Sequence, residues 1–196
     1  MYTKKVALEQ GDALIITDVQ NDLLPGGRLA VRVGDAVIPV LNRYIQLFQA
    51  KELPVFASRD WHPKKHCSFK TNGGNWPEHC VANTIGAAIA SDLKLPDNAT
   101  ILSKATENDR EAYSSFDGTE LDEILHSKKV KRLFIGGLAT DYGVIATALD
   151  GMHKGYTVCF LEDAIRAVNL DKLDGIRAER KMYTKGAHPI TFEQIQ

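Results

Sequence analysis

The sequence predicts an α/β fold: a doubly wound, mainly parallel sheet between helices, in three α/β/α layers. Three observations predict it. Short apolar runs alternate with amphipathic ones, as in successive βαβ units. One run, residues 13–19 (Ala-Leu-Ile-Ile-Thr-Asp-Val), is apolar enough to be a strand covered on both faces, and it closes on a carboxylate. The polar features Asp18, Asp60, Lys104 and the turn at 139–143 each follow a predicted strand, at the edge where such sheets bind ligands.

The elements follow in order. After the strand at 13–19, residues 35–51 carry Val37, Val40, Leu41, Tyr44, Ile45 and Phe48 at the spacing of one helix face. Residues 54–58 form a second strand. Residues 60–83 are a long polar and aromatic loop, rich in Pro, Gly, His and Trp, and such a loop inside a compact domain is usually functional. A short helix is expected near 85–93, a strand at 100–103 and a helix at 119–127. A fourth strand at 132–136 runs into a helix from about 142 to 153. A strand at 157–161, a helix at 171–183 and a closing strand near 190–192 complete the pattern.

A chain of 196 residues fits one domain, taken as 1–196, with a sizeable core. Hydrophobic residues make up 44% and charged ones 25%, as in soluble globular proteins. A net charge of −1 offers nothing to draw nucleic acid or anionic lipid. No apolar run reaches membrane-spanning length, and Met1-Tyr2-Thr3-Lys4-Lys5 is not followed by a signal-like stretch. Cys67, Cys80 and Cys159 are too few and scattered for a disulfide framework. The cytoplasm is the expected location.

Three constellations carry chemistry. In Asp60-Trp61-His62 the two potential ligands are two residues apart, so an extended backbone points both the same way. His66 and His79 follow in the same loop. Such a carboxylate–imidazole set suits Zn²⁺, Fe²⁺ or Mn²⁺, although polar histidines also collect in solvated loops. A closed zinc site using Cys67 and Cys80 is the rival design. It is disfavoured because adjacent residues of an extended chain diverge, so the thiols read as small core residues. Asp18 and Lys104 would meet at the sheet edge, as a structural ion pair or as a reactive one. The third constellation is the strand-to-helix turn at 138–143, whose free N–H groups and partial positive charge would depress a thiol pKa or steady an oxyanion.

Separated segments in one order carry a resemblance: Asp18-Val19-Gln20-Asn21-Asp22, Asp60-Trp61-His62 with Trp76-Pro77-Glu78-His79-Cys80, Ala112-Tyr113-Ser114-Ser115-Phe116, and Ala139-Thr140-Asp141-Tyr142-Gly143-Val144. From about Ala13 to Val168 the chain resembles the nicotinamidase/pyrazinamidase branch of the isochorismatase-like cysteine hydrolases. The resemblance implies hydrolysis of nicotinamide to nicotinate and ammonia in NAD salvage, with pyrazinamide as a second substrate. It implies that Asp18 is the general base and later the acid, and that Lys104 steadies a cysteine thiolate. The thiolate attacks the amide carbon, ammonia leaves, and water hydrolyses the thioester. The backbone N–H groups of Ala139 and residue 143 would form the oxyanion hole, with a cis peptide between Leu138 and Ala139. Asp60, His62 and His79 would be the core metal ligands, zinc first and Fe²⁺ or Mn²⁺ as alternatives. His66 matches a histidine that ligates in some relatives only. Leu23, Trp76, Tyr113, Leu138 and Tyr142 would line the substrate pocket, and a homo-oligomer stays open.

The chain departs from this pattern in two places. Asn83 stands where the family usually has glycine, which touches loop shape more than chemistry. Gly143 stands where the family has its nucleophilic cysteine. Glycine keeps the N–H of the oxyanion hole but supplies no sulfur for a thioester. The other site residues are all present, so the loss is selective. It fits deliberate inactivation or a single recent base change better than long drift, and a modified cysteine read as glycine is a further reading. The alternatives are a non-catalytic nicotinamide binder and another member of the superfamily, such as an isochorismatase or an N-carbamoyl amide hydrolase.

Overall fold

The computed structural model describes residues 5–196; residues 1–4 of the N-terminal stretch read above lie outside the described residues. Six strands form one sheet: β1 (Asp12–Thr17), β2 (Val55–Asp60), β3 (Thr100–Lys104), β4 (Arg132–Leu138), β5 (Thr157–Arg166) and β6 (His188–Ile190). Their order is β3-β2-β1-β4-β5-β6 and every pairing is parallel. Parallel neighbours need crossovers: α1 (Val37–Ala50) joins β1 to β2, α2 (Leu121–Ser127) β3 to β4, α3 (Ile145–His153) β4 to β5 and α4 (Asp174–Thr184) β5 to β6, while the long loop at 61–99 joins β2 to β3 without an α-helix. The strand order reverses between β1 and β4, which opens a crevice beyond their carboxyl ends.

β1 is buried along its whole length because both faces are covered. Leu14 and Ile16 pack with Val37, Leu41, Tyr44, Ile45 and Phe48 of α1 on one face. Ala13 and Ile15 pack on the other face with Leu121 and Leu125 of α2, Ala148 of α3 and Met182 of α4. The period of two along the strand thus feeds two separate cores, which makes the three layers. At the β1–β4 seam, Gly137 has φ +113, and a Cβ there would sit 2.1 Å from the Thr17 carbonyl oxygen. Only glycine lets the two strands approach this closely.

Several boundaries differ from the sequence expectation, each for a local reason. The first strand stops at Thr17, and Asp18 turns out of it with φ +49, a left-handed conformation that aspartate tolerates. No helix forms at 85–93. There the N–H groups of Asn21 and Asp22 bond to the carbonyls of Ala88 and Gly86, and Ala90 N–H bonds to Val19 O. The neighbouring 19–22 segment takes the backbone groups that a helix would use internally. Residues 140–144, whose second half was assigned to the helix beginning near 142, instead form a wide π turn, and the α-helix begins at Ile145. The helix expected from 171 starts at Asp174, because the Asp171 and Asp174 carboxylates bond to N–H groups of the turn before it. The last strand lies at His188–Ile190, and Phe192 belongs to a 3-10 turn capped by Thr191 and Gln194. Asn83, at the glycine position of the resembling segment, has φ +63, which asparagine adopts more readily than most residues.

Candidate active site

The carboxyl ends of β1 to β4 deliver the polar residues. In the β2–β3 register Asp60 stands directly opposite Lys104, so the two side chains meet without further folding. Lys104 Nζ lies 2.5 Å from Asp60 Oδ1 and 3.0 Å from Asp18 Oδ2, and it donates to the Ala112 carbonyl at 3.2 Å. Lys104 is 1% exposed. Burial alone would lower its pKa, but the two carboxylates more than offset that and hold it above the usual lysine range. Burial pushes the Asp18 carboxyl up to about 6, against the attraction of Lys104. Burial acts on Asp60 too, but the closer Lys104 ammonium overcomes it and holds Asp60 well below the usual range.

Asp60, His62 and His79 present ligand atoms that all lie within 4.8 Å of one another. The hydrogen bonds set the histidine tautomers. His62 Nδ1 faces the Ala105 carbonyl at 3.3 Å, and His79 Nδ1 faces the Pro77 carbonyl at 2.8 Å. A carbonyl only accepts, so each Nδ1 carries a hydrogen, and in the neutral ring each Nε2 then keeps its lone pair. His62 Nε2 is buried without a hydrogen-bond partner, 3.7 Å from Asp60 Oδ2. An orphaned lone pair beside a carboxylate fits a divalent cation. Burial lowers the His79 pKa, which favours the neutral, ligating form.

His66 is arranged differently. Its Nε2 faces the Arg110 carbonyl at 3.0 Å, and its Nδ1 is engaged by Ser68 Oγ at 2.7 Å and the Ser68 N–H at 3.3 Å. Its lone pair is therefore taken, and the ring lies 4.1 Å from that of His62, tilted by 32°. Buried Phe69 meets the rings of all three histidines.

These groups open on a cavity lined among others by Asp18, Leu23, Asp60, His62, His79, Lys104 and Gly143. Trp76, Tyr113 and Tyr142 form its aromatic wall. Trp76 Nε1–H donates to the Tyr113 hydroxyl at 3.2 Å, and Tyr142 lies 5.2 Å from Trp76 and 5.4 Å from Tyr113 between ring centroids. Ala139 also lines it, and the Leu138–Ala139 peptide is cis. Leu138 was expected in the pocket, but its side chain joins the core cluster and does not line the cavity. As the last residue of β4 it is fully buried, so that only its backbone faces the turn.

Gly143 closes the ring of groups. Its φ is not in the left-handed region, so no backbone constraint calls for glycine. A Cβ built there meets Asp18 Oδ2 at 2.9 Å and the Leu138 carbonyl at 3.0 Å. Any side chain at 143 would therefore touch the Asp18 carboxylate. No cysteine lines the cavity among the described residues. Cys80 and Cys159 belong to the core, where burial pushes the thiol of Cys80 far up and that of Cys159 to about 11.

Several residues with a part in the site went unassigned in the sequence reading. Leu29, Val31, Glu111 and Val168 also line the cavity. Asp141 holds Val168 there, accepting the N–H groups of Val168 and Asn169 at 2.9 and 2.8 Å. Gln20 clasps the backbone of Asp60: its Oε1 accepts the Asp60 N–H and its Nε2 donates to the Asp60 carbonyl, both at 2.8 Å, and also to Ala87 O. Their signal was membership of a motif already quoted, Asp18-Val19-Gln20-Asn21-Asp22 for Gln20 and Ala139–Val144 for Asp141. Gln20→Ala would orphan a buried N–H and two carbonyls, and is expected to lower stability by about 3 kcal/mol. In thermal unfolding followed by circular dichroism this corresponds to a Tm loss of roughly 6–12 °C; an unchanged Tm would show the clasp to be redundant.

Residues 12–194 match the isochorismatase domain, and the chain belongs to the isochorismatase family. Within that class it is similar to the nicotinamidase of Escherichia coli (strain K12), with 36% identity over 196 residues that cover 89% of this chain and 92% of the relative. The pyrazinamidase of Pyrococcus horikoshii, solved in complex with zinc, superposes with a TM-score of 0.89 at 47% identity, covering 93% of this chain and 99% of that one. An L. infantum protein solved in complex with nicotinate also has a TM-score of 0.89, at 33% identity and 98% coverage of both chains. These relatives place the chain among amidohydrolases. No helix among the described residues is long and apolar enough to cross a membrane.

Proposed function

We propose that this chain carries a nicotinamidase site that holds nicotinamide and, through Gly143, lacks the atom that would turn it over. The observation that carries this reading is the position of Gly143: a Cβ there is 2.9 Å from Asp18 Oδ2, which Lys104 also touches. Around a thiol, such an arrangement supplies a base for its proton and a cation for the resulting thiolate. Around glycine, it leaves a base with nothing to deprotonate. The aromatic wall of Trp76, Tyr113 and Tyr142 suits a flat heteroaromatic ring.

Asp60, His62 and His79 are the residues that would hold a divalent metal, with zinc favoured by the two-imidazole, one-carboxylate donor set. Bound there, a metal supplies a Lewis acid facing the cavity, suited to the lone pair of a pyridine or pyrazine nitrogen. His66, with both ring nitrogens engaged, buttresses His62 in this reading. The backbone N–H groups of Ala139 and residue 143 would receive the carbonyl oxygen of the amide. Pyrazinamide differs from nicotinamide by one ring nitrogen and fits the same cavity.

The test is a calorimetric titration of nicotinamide into the zinc-loaded protein with ammonia assayed in parallel. Binding without ammonia release is the expected outcome. His62→Ala removes the orphaned lone pair and is expected to weaken zinc by about 100-fold or more in competition with a chromogenic chelator, and to abolish nicotinamide binding with it. A protein that binds neither zinc nor nicotinamide would overturn the reading.

A further inference from the structure

Behind Asp18, on the side away from the cavity, lies a row of hydroxyls for which the reading above has no use. Ser58 Oγ donates to Asp18 Oδ1 at 2.8 Å, Ser115 Oγ donates to Ser58 Oγ at 2.9 Å, and Thr147 Oγ1 donates to Ser115 Oγ at 3.2 Å. The Ser115 backbone N–H donates to Thr147 Oγ1 at 2.9 Å and closes the far end. Ser58 is 1% exposed, and Ser115 and Thr147 are fully buried. Each of the three hydroxyls donates towards the carboxylate, so the orientation of each is determined by the next.

The two oxygens of Asp18 are thereby given separate duties. Oδ1 faces the hydroxyl row. Oδ2 faces Lys104 at 3.0 Å and lies 2.9 Å from the site of a Cβ at position 143. The row also joins the elements whose relative position matters most. Ser58 sits on β2 two residues before Asp60, Ser115 lies in the Ala112–Phe116 segment, and Thr147 is four residues beyond Gly143 in the helix that leads from the turn. Hydroxyls are costly to bury unless paired. Three in line behind one carboxylate are a feature that packing alone does not require.

We infer that Ser58, Ser115 and Thr147 are positioning residues, a one-way hydroxyl chain that locks the Asp18 carboxylate so that Oδ2 faces position 143 and ties that orientation to the helix carrying the position. The chain acts through Asp18 and touches no substrate. The inference rests on the assignment of Asp18 as the base in the proposed site, and its test separates the two.

In the Gly143→Cys protein, zinc-loaded, two rates are measured for Ser58→Ala, Ser115→Ala, Thr147→Val and Thr147→Ser. The first is nicotinamide hydrolysis. The second is alkylation by iodoacetamide of the thiol at position 143, mapped by mass spectrometry to separate it from Cys67, Cys80 and Cys159; it needs the base but no nicotinamide. The three hydroxyl-removing variants are expected to lose about 10–100-fold in kcat and in alkylation rate. KM should stay within about twofold, and Thr147→Ser should keep near-parental rates. Parental rates in all folded hydroxyl-removing variants would overturn the inference, as would a Thr147→Ser loss equal to that of Thr147→Val. If Ser58→Ala does not fold, the more distant Ser115→Ala and Thr147→Val decide. If the Gly143→Cys parent fails to hydrolyse nicotinamide, the proposed function falls and the alkylation rates alone decide: slowed alkylation upholds the hydroxyl chain, and unchanged alkylation overturns it.

Discussion

Zinc-loaded Gly143→Cys protein is expected to release ammonia from nicotinamide about 10³-fold faster than the glycine form, or more, since removing a nucleophile from an otherwise complete site costs at least that much. The backbone at 143 is compatible with an L side chain, and the remaining groups are already in place. Only the Asp18 carboxylate and the Leu138 carbonyl crowd the new Cβ, at 2.9 and 3.0 Å. The carboxylate is the end of a side chain and has to shift, and the carbonyl, which belongs to the backbone, has to give by a few tenths of an ångström. Asp18→Asn in the same background is expected to erase the gain, because an amide cannot take the thiol proton. Ammonia release from all three proteins, measured side by side, is the check. Comparable turnover by the glycine form would place the nucleophile elsewhere, and silence from Gly143→Cys would sink the nicotinamidase reading.

Lys104→Met should produce the largest loss of stability, about 3–5 kcal/mol near neutral pH. Methionine fills nearly the same volume, so the effect is electrostatic. Two buried carboxylates, Asp18 and Asp60, lose the cation they share. In the parent that cation opposes the effect of burial on Asp18, which still reaches about 6 from 3.8, and holds Asp60 well below the usual range. Without it both carboxyls rise in the folded state. A carboxyl whose folded pKa lies above its unfolded one destabilises the fold once ionised, and stops doing so as pH falls below its folded value. The gap between Lys104→Met and the parent should thus be widest above about pH 7 and narrow towards pH 5. Urea unfolding at several pH values measures it. A gap that stays constant with pH would mean that lost packing, not lost charge, is responsible.

The candidate site was legible wherever one residue type at one spacing carries the chemistry. Asp60 and His62, two apart on a strand end, point to one side because a strand repeats every two residues. Asp18 and Lys104 could be paired on paper since both close apolar strands, and the β2–β3 register then sets Lys104 against Asp60. The supporting residues were not legible in the same way. Gln20, Ser58, Ser115 and Thr147 are common polar residues whose partners lie 32 to 67 positions away. Gln20 and Ser115 fall inside motifs already quoted, but no local rule assigns any of the four its partner. The engagement of both His66 nitrogens has the same origin, because one of its partners, Arg110, is 44 positions distant.

What the sequence by itself determined is the layered α/β fold and the set of reactive side chains with one member missing. Both follow from local rules: apolar periodicity selects strand or helix, and metal or proton chemistry needs a few residue types. Tertiary structure alone decided that residues 85–93 stay out of a helix, since their backbone groups are claimed by residues 19–22. It likewise decided that Leu138 turns into the core, and that the turn before α3 opens into a π turn. It also decided which imidazole lone pairs are free. Each of these outcomes depends on a hydrogen-bond or packing partner that only the closed sheet brings near, and a polar group inside a protein takes whichever partner burial leaves it.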